Sequence, residues 1–191
     1  MRNLILFFGL LTCATFSSVE LLAQRVLVIG IDGTRPDCLE AAETPNLDAL
    51  IANGLFSPDA LNGDITMSGP GWSSILCGVQ SDQHGVTDNS FSGSNYDLYP
   101  SFLKRLETWN SSLHTASICH WGPINDYIVL DGADDIINVS SDEAVRDIAV
   151  QLLSSDDPDA IFLHFDDVDI TGHGNGYGVN IAPYIAAIEG V

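Results

Sequence analysis

Positive charge is what this 191-residue sequence most lacks: six Lys and Arg stand against 26 Asp and Glu, a formal net charge of −20. Nothing is available to neutralise a row of phosphates, which excludes duplex nucleic acid and anionic membrane surfaces as partners. An anionic substrate would have to be attracted by bound metal ions rather than by side-chain cations. Cysteine is also scarce. Four are present, no CxxC occurs, and beyond Cys13 the remaining Cys38, Cys77 and Cys119 are an odd number at scattered spacing. That is neither a disulfide framework nor a cysteine zinc site, and the three read as buried free thiols. No internal repeat and no low-complexity segment interrupts the chain.

Residues 1–23 have the three-part form of a secretory signal peptide. Met1-Arg2-Asn3 is a short basic start, Leu4 to Ala14 is mostly apolar, and a more polar tail ends at Ala23, where cleavage is expected. The apolar run is too short to span a bilayer, and Thr12 makes Cys13 a poor lipidation site. The expected location is secreted or periplasmic. Residues 24–191 remain as the folding part, long enough for one domain with a real core.

Val26 to Ile31 is a short β-branched apolar run that reads as a central strand buried on both faces, ending at Asp32-Gly33. Gly33 allows a sharp turn and Pro36 stops the strand. Thr44-Pro45 opens a helix that Gly54 ends, and a second helix is expected from Pro70 to Gly78. Residues 79–98, rich in Gly, Ser, Asn and Asp, read as a long loop. A helix over Ser101–Trp109, a strand over His114–Cys119, a helix over Ser141–Leu153 and a buried strand over Ala160–Phe165 follow. The alternation indicates an α/β fold, a mostly parallel sheet with helices on both faces. The chain ends in what begins as a helix, Pro183 to Val191, and reads as the amino-terminal part of a domain cut short.

Three places can carry chemistry. Asp32, at the carboxyl end of its strand, stands at the rim where open α/β sheets bind ligands, although an isolated strand-end Asp is as often merely solvated. Asp169-Ile170-Thr171-Gly172-His173 puts a carboxylate and an imidazole four residues apart on a Gly-containing turn, donors suited to zinc. Ser68 precedes the helix opened by Pro70, where free amides and the helix dipole favour an anion. On local grounds a serine before a helix is more often a simple N-cap. A serine hydroxyl needs a base or a metal to act as a nucleophile, and no histidine lies near it in sequence. His114 and His164 read as satisfied structural residues, His120 as a packed corner, and Asp166 and Asp167 as partners orienting metal ligands.

Taken in order, IDGxRPD from Ile31, TPNLDAL from Thr44, Ser68-x-Pro70, Ser74-Ile75-Leu76-Cys77-Gly78, His84-Gly85-Val86 and D-x-x-G-H from Asp169 resemble the alkaline phosphatase superfamily. Within it the match is to the type I phosphodiesterase/nucleotide pyrophosphatase branch, over roughly Val26 to Val191. The resemblance implies an alkaline-phosphatase-like fold, incomplete at the C-terminus, and two divalent metal ions, zinc by family habit, that clamp a phosphoryl group. Asp32 and the nucleophile Ser68 would hold one ion, Asp169 and His173 the other. Asn89 would donate to a phosphate oxygen, and His84 would be structural. The implied substrate is a small phosphate ester, hydrolysed through a phosphoserine.

The sequence departs from the pattern in three ways. Serine stands where the phosphodiesterase branch commonly has threonine, which leaves a phosphomonoesterase open. Sulfatases require C/S-x-P-S-R, and Gly71 and Trp72 occupy its last two positions. The family's later Asp-His pair and final His have no counterpart, so the chain as given is expected to bind metal weakly and to be inactive alone. A non-catalytic remnant is the alternative of a different class.

Overall fold

The computed structural model describes residues 25–63 and 65–191. The expected signal peptide and Cys13 lie outside the described residues. Four strands, Val26–Ile31 (β1), Thr115–Cys119 (β2), Asp135–Asn138 (β3) and Ala160–Phe165 (β4), pair in parallel in the order β1-β4-β2-β3. The helices are Pro36–Ala41 (α1), Pro45–Asn53 (α2), Ser68–Cys77 (α3), Ser81–His84 (α4), Phe102–Trp109 (α5), Asp142–Ser155 (α6), Asp167–Asn175 (α7) and Ala182–Glu189 (α8), with a π-helical segment at Ile124–Val129.

Alternation along β4 assigns its side chains to two layers. Ile161 and Leu163, with Ala116 and Ile118 of β2, pack under Val145, Ala149 and Leu152 of α6. Ala160 and Phe162, with Cys119, pack on the opposite side against Trp72, Leu76 and Cys77 of α3 and Leu103 of α5. Each such side chain taken fully out of water contributes about 1.5–3 kcal/mol, so both faces of the two central strands are committed. A third cluster joins Cys38 of α1, Val168 of α7, and Tyr184 and Ile188 of α8. Serines start two of the helices: Ser101 Oγ accepts from the Lys104 amide at 3.3 Å and Ser141 Oγ from the Ala144 amide at 3.2 Å. Helices on both sides of a parallel sheet are the expected α/β architecture.

Three expectations change. β1 is not a central strand buried on both faces. It stands at the end of the sheet order with Val26, Leu27 and Ile29 each 46–47% exposed; β4 and β2 hold the buried centre. A short apolar run carries no record of which of its edges is paired. α3 begins at Ser68, two residues before Pro70. Proline is tolerated at the third helical position because no amide of the first turn has an intrahelical partner, so Ser68 lies inside the helix rather than before it. The loop over 79–98 contains the single turn α4, whose His84 is fully buried and accepts from the Val86 amide. β3 and the π-helical segment had no reading in the sequence.

Cys38, Cys77 and Cys119 are free and buried, and burial pushes the Cys77 and Cys119 thiols up to about 12. Among the described residues no helix is long and apolar enough to cross a membrane.

At the other end of the sheet, His114 Nε2 lies 2.7 Å from Asp135 Oδ2 and ties the start of β2 to β3. The hydrogen bond to Asp135 raises the His114 pKa above its ordinary 6.5, so the folded chain holds this proton more tightly than the unfolded one. The resulting stabilisation is complete below the unfolded-state value and is lost as pH rises through the raised folded-state value. His114→Gln should therefore melt furthest below the parent at about pH 5.5 and approach it at about pH 9. A gap that widens toward alkaline pH would contradict the pairing.

Candidate active site

The β1–β4 register sets Gly30 opposite His164 and Ile31 opposite Phe165, and the Asp32 amide continues the ladder onto the Phe165 carbonyl at 3.0 Å. Asp32 and Asp166 thus leave the sheet side by side. Gly33 turns the chain with φ +71°, and a Cβ there would lie 2.6 Å from the Asp169 Cα. Only glycine permits both the turn and the approach. Asp32, Ser68, Asn89, Asp169 and His173 consequently line one cleft of about 730 Å³, and no Lys or Arg is among the described residues that line it.

The Asp32 carboxylate is held on both oxygens. Oδ1 accepts from the Gly33 amide at 2.8 Å and Oδ2 from Trp72 Nε1 at 2.9 Å. Burial is the largest single influence on its pKa and pushes it up, but His164, Trp72 and the Ser68 hydroxyl together outweigh it and leave the group below its ordinary value. His164 Nε2 stands 3.7 Å from Oδ2, beyond hydrogen-bond length, so it acts on the carboxylate as a nearby polar group rather than through a made bond. Asp166 is driven the other way, its pKa raised by burial and by the charge of Asp32.

Ser68 is the first residue of α3, where the helix dipole favours negative charge. The next residue, Gly69, donates its amide to Asn89 Oδ1 at 2.8 Å, and a Cβ at Gly69 would lie 2.8 Å from the Asp88 carbonyl oxygen. With its oxygen taken, Asn89 is left with its amide nitrogen as the free donor on the cleft. That is the end of the side chain a phosphate oxygen requires.

Asp169 and His173 do not sit on a turn. They lie one helical turn apart on α7, with His173 Nε2 3.3 Å from Asp169 Oδ2. Tyr177 donates to Asp169 Oδ1 at 2.8 Å, and its ring occupies the space a Cβ on Gly172 would fill, at 2.1 Å. Asp142, at the start of α6, accepts the amides of Asp166 and Asp167 at 2.9 and 3.0 Å and also bonds His120 Nδ1 at 2.8 Å. It caps the helix that carries the pair.

Among the described residues two groups have ligand-capable atoms within 4.8 Å of one another: Asp32, His164 and Asp166, and His120, Asp142 and Asp167. In the second, Asp142 is already engaged by two backbone amides and His120 Nδ1. His164, expected to be satisfied, is not: its Nε2 is buried and unpartnered. Trp72, Tyr177 and Asp142 also escaped the sequence reading. Trp72 and Tyr177 each left a trace in a missing side chain: a Cβ at Gly30 would lie 2.3 Å from the indole ring, and one at Gly172 would meet the phenol ring.

With this geometry in hand, residues 26–187 match the model of the family described as type I phosphodiesterase / nucleotide pyrophosphatase. The mouse bis(5'-adenosyl)-triphosphatase enpp4 is 28% identical over 190 residues, covering 90% of this chain and 41% of that protein. The rat ectonucleotide pyrophosphatase/phosphodiesterase family member 7 is 23% identical, covering 86% and 43%. Among solved structures, murine ectonucleotide pyrophosphatase/phosphodiesterase 5 superposes with a TM-score of 0.67 at 21% identity over 87% of this chain and 49% of that one. A second structure of that protein, an inactive variant in complex with AMP, matches equally well. Phosphonoacetate hydrolase from Sinorhizobium meliloti 1021 follows at 0.57 and 14% identity, covering 87% and 51%. The chain spans about two-fifths of the curated relatives and half of the solved chains.

The Tyr177–Gly172 contact makes a prediction that helix propensity alone reverses. Glycine to alanine in a helix interior ordinarily stabilises by about 1 kcal/mol. In the parent, Gly172→Ala should instead lower the melting temperature, because the methyl displaces Tyr177 from Asp169. In a Tyr177→Ala background the same substitution should be neutral or stabilising. Equal effects in both backgrounds would show that the contact carries no energy.

Proposed function

The chain belongs to the type I phosphodiesterase / nucleotide pyrophosphatase family, and from that premise we propose that the protein hydrolyses small phosphate esters, a phosphodiester or a nucleotide pyrophosphate, with Ser68 as the nucleophile. The observation that carries the proposal is the cleft itself: two carboxylates, an imidazole and a helix-terminal serine converge on a surface whose described lining residues include no Lys or Arg. A phosphate could not be held there by protein charge alone.

The donor set fits divalent cations. Asp32 with Ser68, and Asp169 with His173, offer oxygen and imidazole nitrogen donors of the kind zinc takes, and the carboxylates are fixed from behind by Trp72 and Tyr177. Two bound zinc ions would supply the positive field for the phosphoryl group and lower the pKa of the serine hydroxyl. The chain's own groups do the rest. Ser68 Oγ, its proton lost to solvent, attacks phosphorus and displaces an alcohol or nucleotide, which keeps the bridging oxygen and takes up a proton; water then cleaves the Ser68 phosphoester, regenerating the hydroxyl and releasing the remaining phosphate or phosphate monoester. The Asn89 amide nitrogen donates to a nonbridging oxygen. Secretion or export to the periplasm fits the reading of residues 1–23.

Among the described residues each ion would find two protein ligands, fewer than a tetrahedral zinc site takes; the second reading is a non-catalytic domain that keeps the fold without a full site. Purified residues 24–191 with added zinc are accordingly expected to give no turnover of bis-p-nitrophenyl phosphate, and measurable turnover would end that second reading. In any form that does turn over, Ser68→Ala should reduce kcat by roughly 10³-fold or more. Retention of full activity would remove the covalent mechanism. Parallel assays with p-nitrophenyl phosphate and p-nitrophenyl sulfate separate diesterase from monoesterase and sulfatase chemistry.

A further inference from the structure

Two buried side-chain polar atoms lack a partner among the described residues, Thr34 Oγ1 and His164 Nε2. The second is the more costly, since an unpaired ring nitrogen in a fully buried strand forfeits its hydration. His164 is the fifth residue of β4, paired with Gly30, and its ring stands edge-on to Trp72 with centroids 4.8 Å apart at 79°. The Trp121 amide donates to His164 Nδ1 at 3.4 Å. A nitrogen that accepts from an N–H carries no proton, so the ring proton is on Nε2. That N–H faces Asp32 Oδ2 across 3.7 Å.

We infer that His164 is a positioning residue for Asp32: a buried imidazole, locked by the Trp121 amide in the Nε2–H tautomer, that donates to the Asp32 carboxylate and fixes the direction in which its oxygens face a divalent cation. The inference rests on the reading of Asp32 as a cation ligand. The gap needs to shorten by about 0.8 Å to reach an N–H···O bond of about 2.9 Å. The same tautomer excludes His164 from the ligand set it would otherwise form with Asp32 and Asp166. A ligating imidazole turns a bare nitrogen to the metal and donates from the other; here the other nitrogen faces a donor.

Long-range ¹H–¹⁵N correlation of the His164 ring reads the tautomer directly. The expected pattern is a protonated Nε2 and a bare Nδ1 in both metal-free and zinc-loaded protein. In zinc titrations, His164→Leu should weaken binding at the Asp32 site by about 10–100-fold, while His164→Gln, which keeps an N–H at similar reach, should stay within a few-fold of the parent. A proton on Nδ1, a zinc-bound Nε2, or a leucine variant with parental affinity would overturn the inference. If the leucine variant does not fold, the parental ring spectrum and the glutamine variant still decide. Asp32→Asn run in parallel keeps the two readings apart: unchanged zinc uptake in that variant sinks the metal reading of Asp32, whereas the ring spectrum bears on His164 alone.

Discussion

The parallel pairing of β1 with β4 is the constraint on which the site depends. It is made of backbone hydrogen bonds in a fixed register, Val26 opposite Ala160 through Ile31 opposite Phe165. Shifting that register by one residue would turn His164 away from the Trp72 face and slide Asp32 by about 3.3 Å along the strand direction. Two acids far apart in sequence meet because their strands end together. Gly33 then removes the one atom that would keep the backbone of α7 away from Asp32. The core serves the same register from both sides, since Phe162 and Leu163, adjacent in β4, are buried in different layers.

From this pairing the electrostatics follow. Asp32, Asp166, Asp167 and Asp169 stand at one rim of a protein already carrying a net charge of −20. Backbone amides meet part of that load: Asp142 accepts two of them at the start of α7, and Asp32 accepts one from Gly33. A hydrogen bond to a charged group contributes about 1.5–3 kcal/mol, enough to hold a carboxylate in place. Dipoles neutralise no net charge, however, and the Asp166 pKa remains raised by burial and by the charge of Asp32. The rim therefore keeps an unbalanced negative field directed at the cleft.

Much of this was legible in the residues. Asp32-Gly33 at a strand end, Thr44-Pro45 at a helix start and the Ser141 cap are local signals, and the structure follows them. Where the sequence misled, tertiary context decided. Gly172 and Gly174 lower helix propensity and suggest a turn, yet α7 runs through both, since Asp142 caps its start and Tyr177 needs the space at Gly172. β1 reads as a buried strand because apolar residues alone do not distinguish an end strand from a middle one. The roles of Trp72 and Tyr177 were harder to read for a different reason: each acts through one polar atom on an otherwise apolar ring, and such a residue looks like core until its partner is known.

The donors around the two cleft carboxylates share a property that bears on what the cleft can accept. Gly33 offers an amide, Trp72 an indole and Tyr177 a phenol, all uncharged. An arginine at position 72, as the sulfatase pattern would have it, would stand against Asp32 as an ion pair and satisfy the carboxylate from within the protein. Tryptophan supplies the orientation without the charge. Asp32 and Asp169 are thereby aimed by uncharged donors, and no Lys or Arg stands among the described residues that line the cleft, an arrangement that leaves their charge open to a cation from outside the chain.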